Sequence, residues 1–336
     1  MFRSNTLSSA RKSATRAYSL LLSTASLLGG VAALVRWKTR EAARLNPPAG
    51  RFISVDGVRL HYVERGSGPV LVFLHGNVVM SQDFTLSPLV DLAAKRYRVI
   101  VFDRPGFGYS ERPKDRMWTP AQQAGLLHKA LLQMGVERPY ILGHSWGAFV
   151  ALELALRYPE SIAGVILASG YYHPTIRLDT ITPTILSIPG IGDLMGHSVS
   201  PAMMRAMWPS MLRRLFEPAE ISPGYDEFPV WLALRPSQLR AAAEEGSLMV
   251  PSAFAFRNRL QNLSVPTMIV AGEGDKIVDT EKESVRLHHE VPGSQLRIIK
   301  GAGHMIHHSA PQEVMDAIDE LATMPAAHAL ERGLSL

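Results

Sequence analysis

From Val70 onward the chain alternates short runs of apolar residues with longer stretches in which apolar positions recur at helical spacing. The runs are Val70 to Leu74, Arg98 to Phe102, Tyr140 to Leu142, Gly164 to Ala168, Thr267 to Ala271 and Leu296 to Ile299. They are rich in β-branched residues and lack polar alternation, the pattern of strands covered on both faces. Strands of this kind alternating with helices predict a parallel sheet between two helical layers. Upstream, Phe52 to Val55 and Arg59 to Glu64, joined by Asp56-Gly57, predict a hairpin that adds two antiparallel strands at one edge. The expected fold is therefore α/β, with a mostly parallel eight-stranded sheet. Right-handed crossovers bring every parallel strand's C-terminal end to one rim, where such sheets bind ligands.

About a hundred residues separate the run ending at Ala168 from the one beginning at Thr267. One crossover helix does not need so many. Pro and Met punctuate the interval, as in Met207-Trp208-Pro209, and an inserted helical cap over 171–258 accounts for it. The core then comprises 51–170 and 259–323, followed by a tail, 324–336.

The N-terminal fifty residues read differently. Tyr18 to Val35 carries no charge and is flanked by Arg16 and by Arg36-Trp37-Lys38. As a helix it would span roughly 27 Å, close to the hydrocarbon thickness of a bilayer. The expectation is a basic segment over 1–17, a single transmembrane anchor over 18–35, and a linker over 36–50 that ends after Asn46-Pro47-Pro48. A cleaved signal peptide or a transit peptide competes with the anchor, but no Ala-x-Ala site precedes the domain. Positive charge on both flanks leaves the orientation open.

Composition changes this picture only at its edges. The 336 residues, 46% hydrophobic and 19% charged, suit one large catalytic domain. Of the formal charge of +5, the excess lies in Arg3, Arg11, Lys12, Arg16, Arg36, Lys38 and Arg40, before the first acid at Glu41. The remainder is near neutral and offers no footprint for nucleic acid. The absence of cysteine excludes disulfides, thiol nucleophiles and thiolate metal sites. His288-His289 and His307-His308 have no carboxylate at metal-ligand spacing, so they read as solvated or loop histidines. No metal and no cofactor are expected.

Chemistry concentrates in five motifs. Gly143-His144-Ser145-Trp146-Gly147 lies between the run ending at Leu142 and the helix-compatible Ala148 to Tyr158, which puts Ser145 at the apex of a sharp strand-to-helix turn. Side chains at 143 or 147 would collide with neighbouring backbone. His75-Gly76-Asn77 follows Val70 to Leu74, and Asp103-Arg104-Pro105-Gly106-Phe107-Gly108 follows the run ending at Phe102. Gly272-Glu273-Gly274-Asp275 and Gly301-Ala302-Gly303-His304 follow the last two strands.

On these motifs the chain resembles the α/β-hydrolase superfamily from about residue 51 to 323, in its lid-containing branch of esterases, carbon-carbon hydrolases and haloperoxidase-like enzymes. The order Ser, Asp, His is the one that fold uses. The resemblance implies Ser145 as nucleophile, His304 as base and Asp275 as the acid that fixes the histidine tautomer, with Asp279 the nearest substitute for the acid. A serine hydroxyl needs a base within reach to take its proton, and imidazole titrates in the right range. Backbone amides of Asn77 and Trp146 are expected to form the oxyanion hole. His75 and Gly76 are expected to shape that loop and, with Trp146, the substrate site. Asp103 and Arg104 read as structural anchors beneath the site, and His144 as packing that can contact the acid loop.

The activity implied is hydrolysis of an ester or similarly activated carbonyl of a small, apolar substrate through an acyl-enzyme. Carbon-carbon bond hydrolysis of ring-cleavage dienoates, perhydrolysis without a cofactor, and a non-catalytic ligand receptor on the same scaffold are the alternatives. Asn77 after His-Gly is also similar to haloalkane dehalogenases, whose nucleophile is aspartate. Serine at 145 departs from that pattern.

Overall fold

The computed structural model describes residues 4–174 and 195–325. Eight strands form one sheet: β1 (Arg51–Val55), β2 (Val58–Arg65), β3 (Val70–Leu74), β4 (Arg98–Phe102), β5 (Tyr140–His144), β6 (Gly164–Ala168), β7 (Thr267–Gly272) and β8 (Gln295–Ile299). Their order is β1-β2-β4-β3-β5-β6-β7-β8. The β1–β2 hairpin turns at Asp56 and Gly57, both at positive φ (48° and 75°), as a two-residue hairpin turn requires. β2 runs antiparallel to β4, and every later pairing is parallel. The expected α/β architecture is thus observed, within a residue or two at each strand end.

Helices cover both faces. On one side α4 (Pro120–Gln133) and α5 (Trp146–Arg157) bury Leu126, Leu127, Phe149 and Val150 against Val72, Ile141 and Val165 of the sheet. On the other, α3 (Pro88–Ala93) and α11 (Pro311–Thr323) bury Leu89, Val90, Val314 and Ile318 against Phe73, Val101 and Ile166. α11 starts at Pro311, whose fixed φ suits the first turn, and places Val314, Ile318 and Leu321 on its buried stripe. Short helices α2 (Gln82–Thr85), α9 (Arg286–Glu290) and α10 (Ile306–Ser309) complete the core.

Between β6 and β7 the described part of the cap is helical: α6 (Val199–Phe216), α7 (Val230–Ala233) and α8 (Pro236–Phe256). Residues 175–194 of the expected cap lie outside the described residues, as does most of the expected tail. The cap has its own apolar centre, where Trp208 stacks on Phe228 at 5.6 Å and Phe216, Tyr225 and Leu232 close around Met80 and Phe107 of the core.

The N-terminal helix α1 spans Ser4–Leu45, so the segment expected as a linker from 36 is helical for ten more residues. Nothing between Arg36 and Leu45 breaks a helix, and Pro47 and Pro48 end it. Its later turns dock: Val35 and Thr39 are buried, and Ala42 and Ala43 pack against the apolar centre of the cap. Leu20, Leu22 and Leu27 project clear of the protein. α1 contains one stretch, Tyr18–Leu45, long and apolar enough to cross a membrane, as an anchor or a signal sequence does.

Candidate active site

Strand register assembles the site. Leu74 of β3 pairs with Gly143 of β5, so the loops carrying His75–Asn77 and Ser145 leave the sheet side by side. Gly272 of β7 pairs with Ile299 of β8, and the loops carrying Asp275 and His304 likewise start together. All four leave the rim predicted from strand direction.

At the β5–α5 turn Ser145 has φ 54° and ψ −119°, a conformation rare for a residue with a side chain, held by its amide donating to Ala168 O at 2.9 Å. The flanking glycines are obligatory. A Cβ at Gly143 would lie 2.2 Å from Gly147 O, and one at Gly147 would lie 2.1 Å from Leu74 O. Trp146 is the first residue of α5, so its amide has no acceptor within the helix and points from a positive helix end. Gly76 passes directly over the serine, since a Cβ there would sit 3.2 Å from Ser145 Cβ. Two residues on, Val78 is at φ 67°, a strained state for a β-branched residue, and its amide donates to Asn77 Oδ1 at 2.8 Å.

Across the rim His304 Nδ1 donates to Asp275 Oδ2 at 2.8 Å, with both side chains buried. Asp275 Oδ1 accepts the amides of Ile277 and Val278 at 2.7 and 2.9 Å, so the carboxylate cannot rotate away. The backbone of His304 is held from two sides. Its amide donates to Leu215 O at 2.9 Å, near the end of α6, and His144 Nε2 donates to its carbonyl at 2.9 Å. His144, expected as packing, therefore ties the serine turn to the histidine loop. Among the described residues the Ser145 hydroxyl makes no hydrogen bond.

A sequence profile of the alpha/beta hydrolase fold matches residues 69–311. The chain belongs to the α/β-hydrolase fold family. This hydrolase is 27% identical over 269 residues to a 2-hydroxymuconate semialdehyde hydrolase of Pseudomonas putida, covering 78% of this chain and 90% of that enzyme. It is 26% identical over 292 residues to haloalkane dehalogenase 2 of Mycobacterium tuberculosis, covering 82% and 96%. In structure it is similar to a thermophilic esterase from Thermogutta terrifontis, with TM-score 0.65, 22% identity and coverage of 80% and 97%.

Of the remaining expected residues of the hydrolase, His75, Asn77 and Asp103 are held by hydrogen bonds within the protein. His75 Nδ1 donates to Gly76 O at 2.7 Å and its Nε2 accepts the Arg104 amide at 3.0 Å. Burial, and Arg104 beside it, push its pKa down to about 3, so the ring is neutral and shapes the loop with no nitrogen left for a substrate. Asn77 Nδ2 donates to Ala242 O of the cap at 3.0 Å. The Trp146 ring is buried edge-on against Phe149 at 5.2 Å. Asp103 is an anchor: it accepts the amides of Ser81 and Tyr109 and pairs with His61 Nδ1 at 2.7 Å.

Arg104 extends that anchoring into the cap. Its guanidinium is fully buried, donates to Glu245 of α8 at 2.5 and 3.0 Å, and also reaches the carbonyls of His75 and Gly76. Breaking such a pair strands a buried charge, which typically costs about 3–5 kcal/mol. Glu245→Ala should lower the unfolding free energy of the full chain by about that amount in urea titrations. A loss under about 1 kcal/mol, as for an exposed pair, would show that the cap does not depend on it.

The expectation for His307 and His308 is corrected. Both are buried, and a carboxylate does face them: His307 Nε2 donates to Asp83 Oδ2 at 3.1 Å and His308 Nε2 donates to Asp83 O at 2.7 Å. Tyr225 of the cap donates its hydroxyl to Asp83 Oδ1. Burial alone would raise the Asp83 carboxyl, but the histidines facing it hold it well below the usual carboxylate range. Burial, with His307 and His304 nearby, pushes His144 well below the ordinary imidazole range, and burial lowers His307. No local signal marked Asp83, which is 224 residues from His307.

Proposed function

We propose that this hydrolase cleaves an ester or similarly activated carbonyl of a small, apolar substrate through an acyl-enzyme on Ser145. The observation that carries this reading is the 2.8 Å hydrogen bond from His304 Nδ1 to Asp275, whose second oxygen is occupied by two amides. That bond leaves Nε2 of His304 as the unprotonated nitrogen, able to take the proton of Ser145 as the hydroxyl attacks the carbonyl. The imidazolium then protonates the leaving alcohol, and water repeats the sequence to release the acid. The Trp146 amide at the head of α5, with that of Asn77, would hold the developing oxyanion.

Similarity to the 2-hydroxymuconate semialdehyde hydrolase favours carbon-carbon bond hydrolysis as the second reading. Halide displacement is not proposed, because Ser145 stands where a carboxylate nucleophile is required and the Asn77 amide is spent on the cap. Initial rates on p-nitrophenyl esters of increasing acyl length, alongside a ring-cleavage dienoate, test the reading. Faster turnover of the dienoate than of any ester would replace the first reading with the second.

The exposed apolar turns of α1, flanked by basic residues and Trp37, support a single membrane anchor. The intact chain should stay with membranes through a carbonate wash and leave only with detergent. Its release by carbonate would remove the anchor.

A further inference from the structure

Beneath the histidine loop lies a group of side chains that hydrolysis does not use. Asp83, His144 and His307 are all buried, and each offers a ligand atom within 4.8 Å of the other two. We propose that these three residues form a binding site for a divalent transition ion of the zinc type, and that its occupation silences the Ser145 centre.

The donor set is the first reason. Two neutral imidazoles and one carboxylate are ligands that suit zinc, with a fourth position left for water. Spacing is the second. Zinc bonds of about 2.0–2.1 Å at tetrahedral angles separate ligand atoms by about 3.3 Å. His307 Nε2 and Asp83 Oδ2 are already 3.1 Å apart, so an ion can replace the proton between them with little movement. That proton passes to His307 Nδ1, and the exchange needs no net loss of a proton from the ring.

Unfilled hydrogen-bonding capacity is the third and independent reason. Nδ1 of His144, Nδ1 of His307 and Nδ1 of His308 are all buried without a hydrogen-bond partner. Three such atoms in one cluster are unusual, since buried polar nitrogens are nearly always paired. For the proposed ion the one that matters is Nδ1 of His144, which carries the ring's lone pair because Nε2 donates to the His304 carbonyl; Nδ1 of His307 instead takes the proton displaced from Nε2.

Silencing follows from where the site lies. His144 donates to the His304 carbonyl, and the two rings are 4.9 Å apart between centroids. A dication one ring away opposes the imidazolium that must form on His304 during acyl transfer. Binding itself does not depend on the proposed hydrolysis, whereas silencing does.

Calorimetric titration of EDTA-stripped full-length protein with zinc chloride should show one site in the wild type. Affinity should be weakened by about tenfold or more in His307→Gln, which keeps a donor to Asp83 but loses the imidazole. The activity of each protein is compared with and without zinc. The wild type should lose most of its turnover with little change in KM and regain it with EDTA. Anomalous scattering from zinc-soaked wild-type crystals should place the ion between Asp83, His144 and His307, and this holds even if the variant fails to fold. No zinc uptake, a water in place of the ion, a peak on the His304–Asp275 pair, or equal affinity in His307→Gln would overturn the site. Zinc bound there without loss of turnover would overturn the silencing. Absence of any ester turnover would count against the proposed function and leave the binding result standing.

Discussion

Ser145→Ala should reduce ester turnover by roughly 10⁶-fold, the scale of nucleophile removal in other serine hydrolases, and abolish labelling by a fluorophosphonate probe. The structure predicts that this loss is chemical. Alanine bears the same Cβ as serine, so the strained φ of 54° costs it no more, and the amide of residue 145 still donates to Ala168 O. The variant should therefore unfold at the same urea concentration as the wild type. Labelling that persists in Ser145→Ala would place the nucleophile elsewhere.

Asp275→Asn should lower kcat on the order of 10⁴-fold with KM little changed. The direction of the new amide follows from the contacts of the carboxylate. Oδ1 accepts two backbone amides, so the asparagine must keep its oxygen there and turn its NH₂ toward His304. Nδ1 of the imidazole must then accept, its proton moves to Nε2, and the ring can no longer take the serine proton. Stopped-assay rates at saturating ester measure the effect. Retention of full activity would move the acid to another side chain, although the carboxylate of Asp279 is engaged by Lys282 Nζ at 2.7 Å.

The parts of the molecule legible in the sequence are those set by neighbours along the chain. The Asp56-Gly57 hairpin, the apolar strands and the glycines at 143 and 147 follow from local pattern, because backbone conformation and strand burial leave a signature within a few residues. Aspartate at 275 and histidine at 304 were legible because each follows a glycine-rich turn at a strand end. The pairs made between distant parts of the chain were not. Arg104 meets Glu245 across 141 residues and Asp83 meets His307 across 224, and neither charge disturbs the periodicity of its own helix or loop. His307 and His308 differ from expectation for the same reason, since two adjacent histidines near a helix start look solvated until a distant carboxylate is folded onto them. The apolar length of α1 is evident in the sequence, whereas the docking of its later turns, with Val35 and Thr39 buried and Ala42 packed on the cap, leaves no local signature.

The final carbonyls of a helix lack partners within it, and at the end of α6 that of Leu215 is taken up by the amides of His304 and Met305. The backbone of the histidine loop is thus fastened to a helix of the cap. Any displacement of that helix must therefore either break both of these hydrogen bonds or carry the histidine loop along with it.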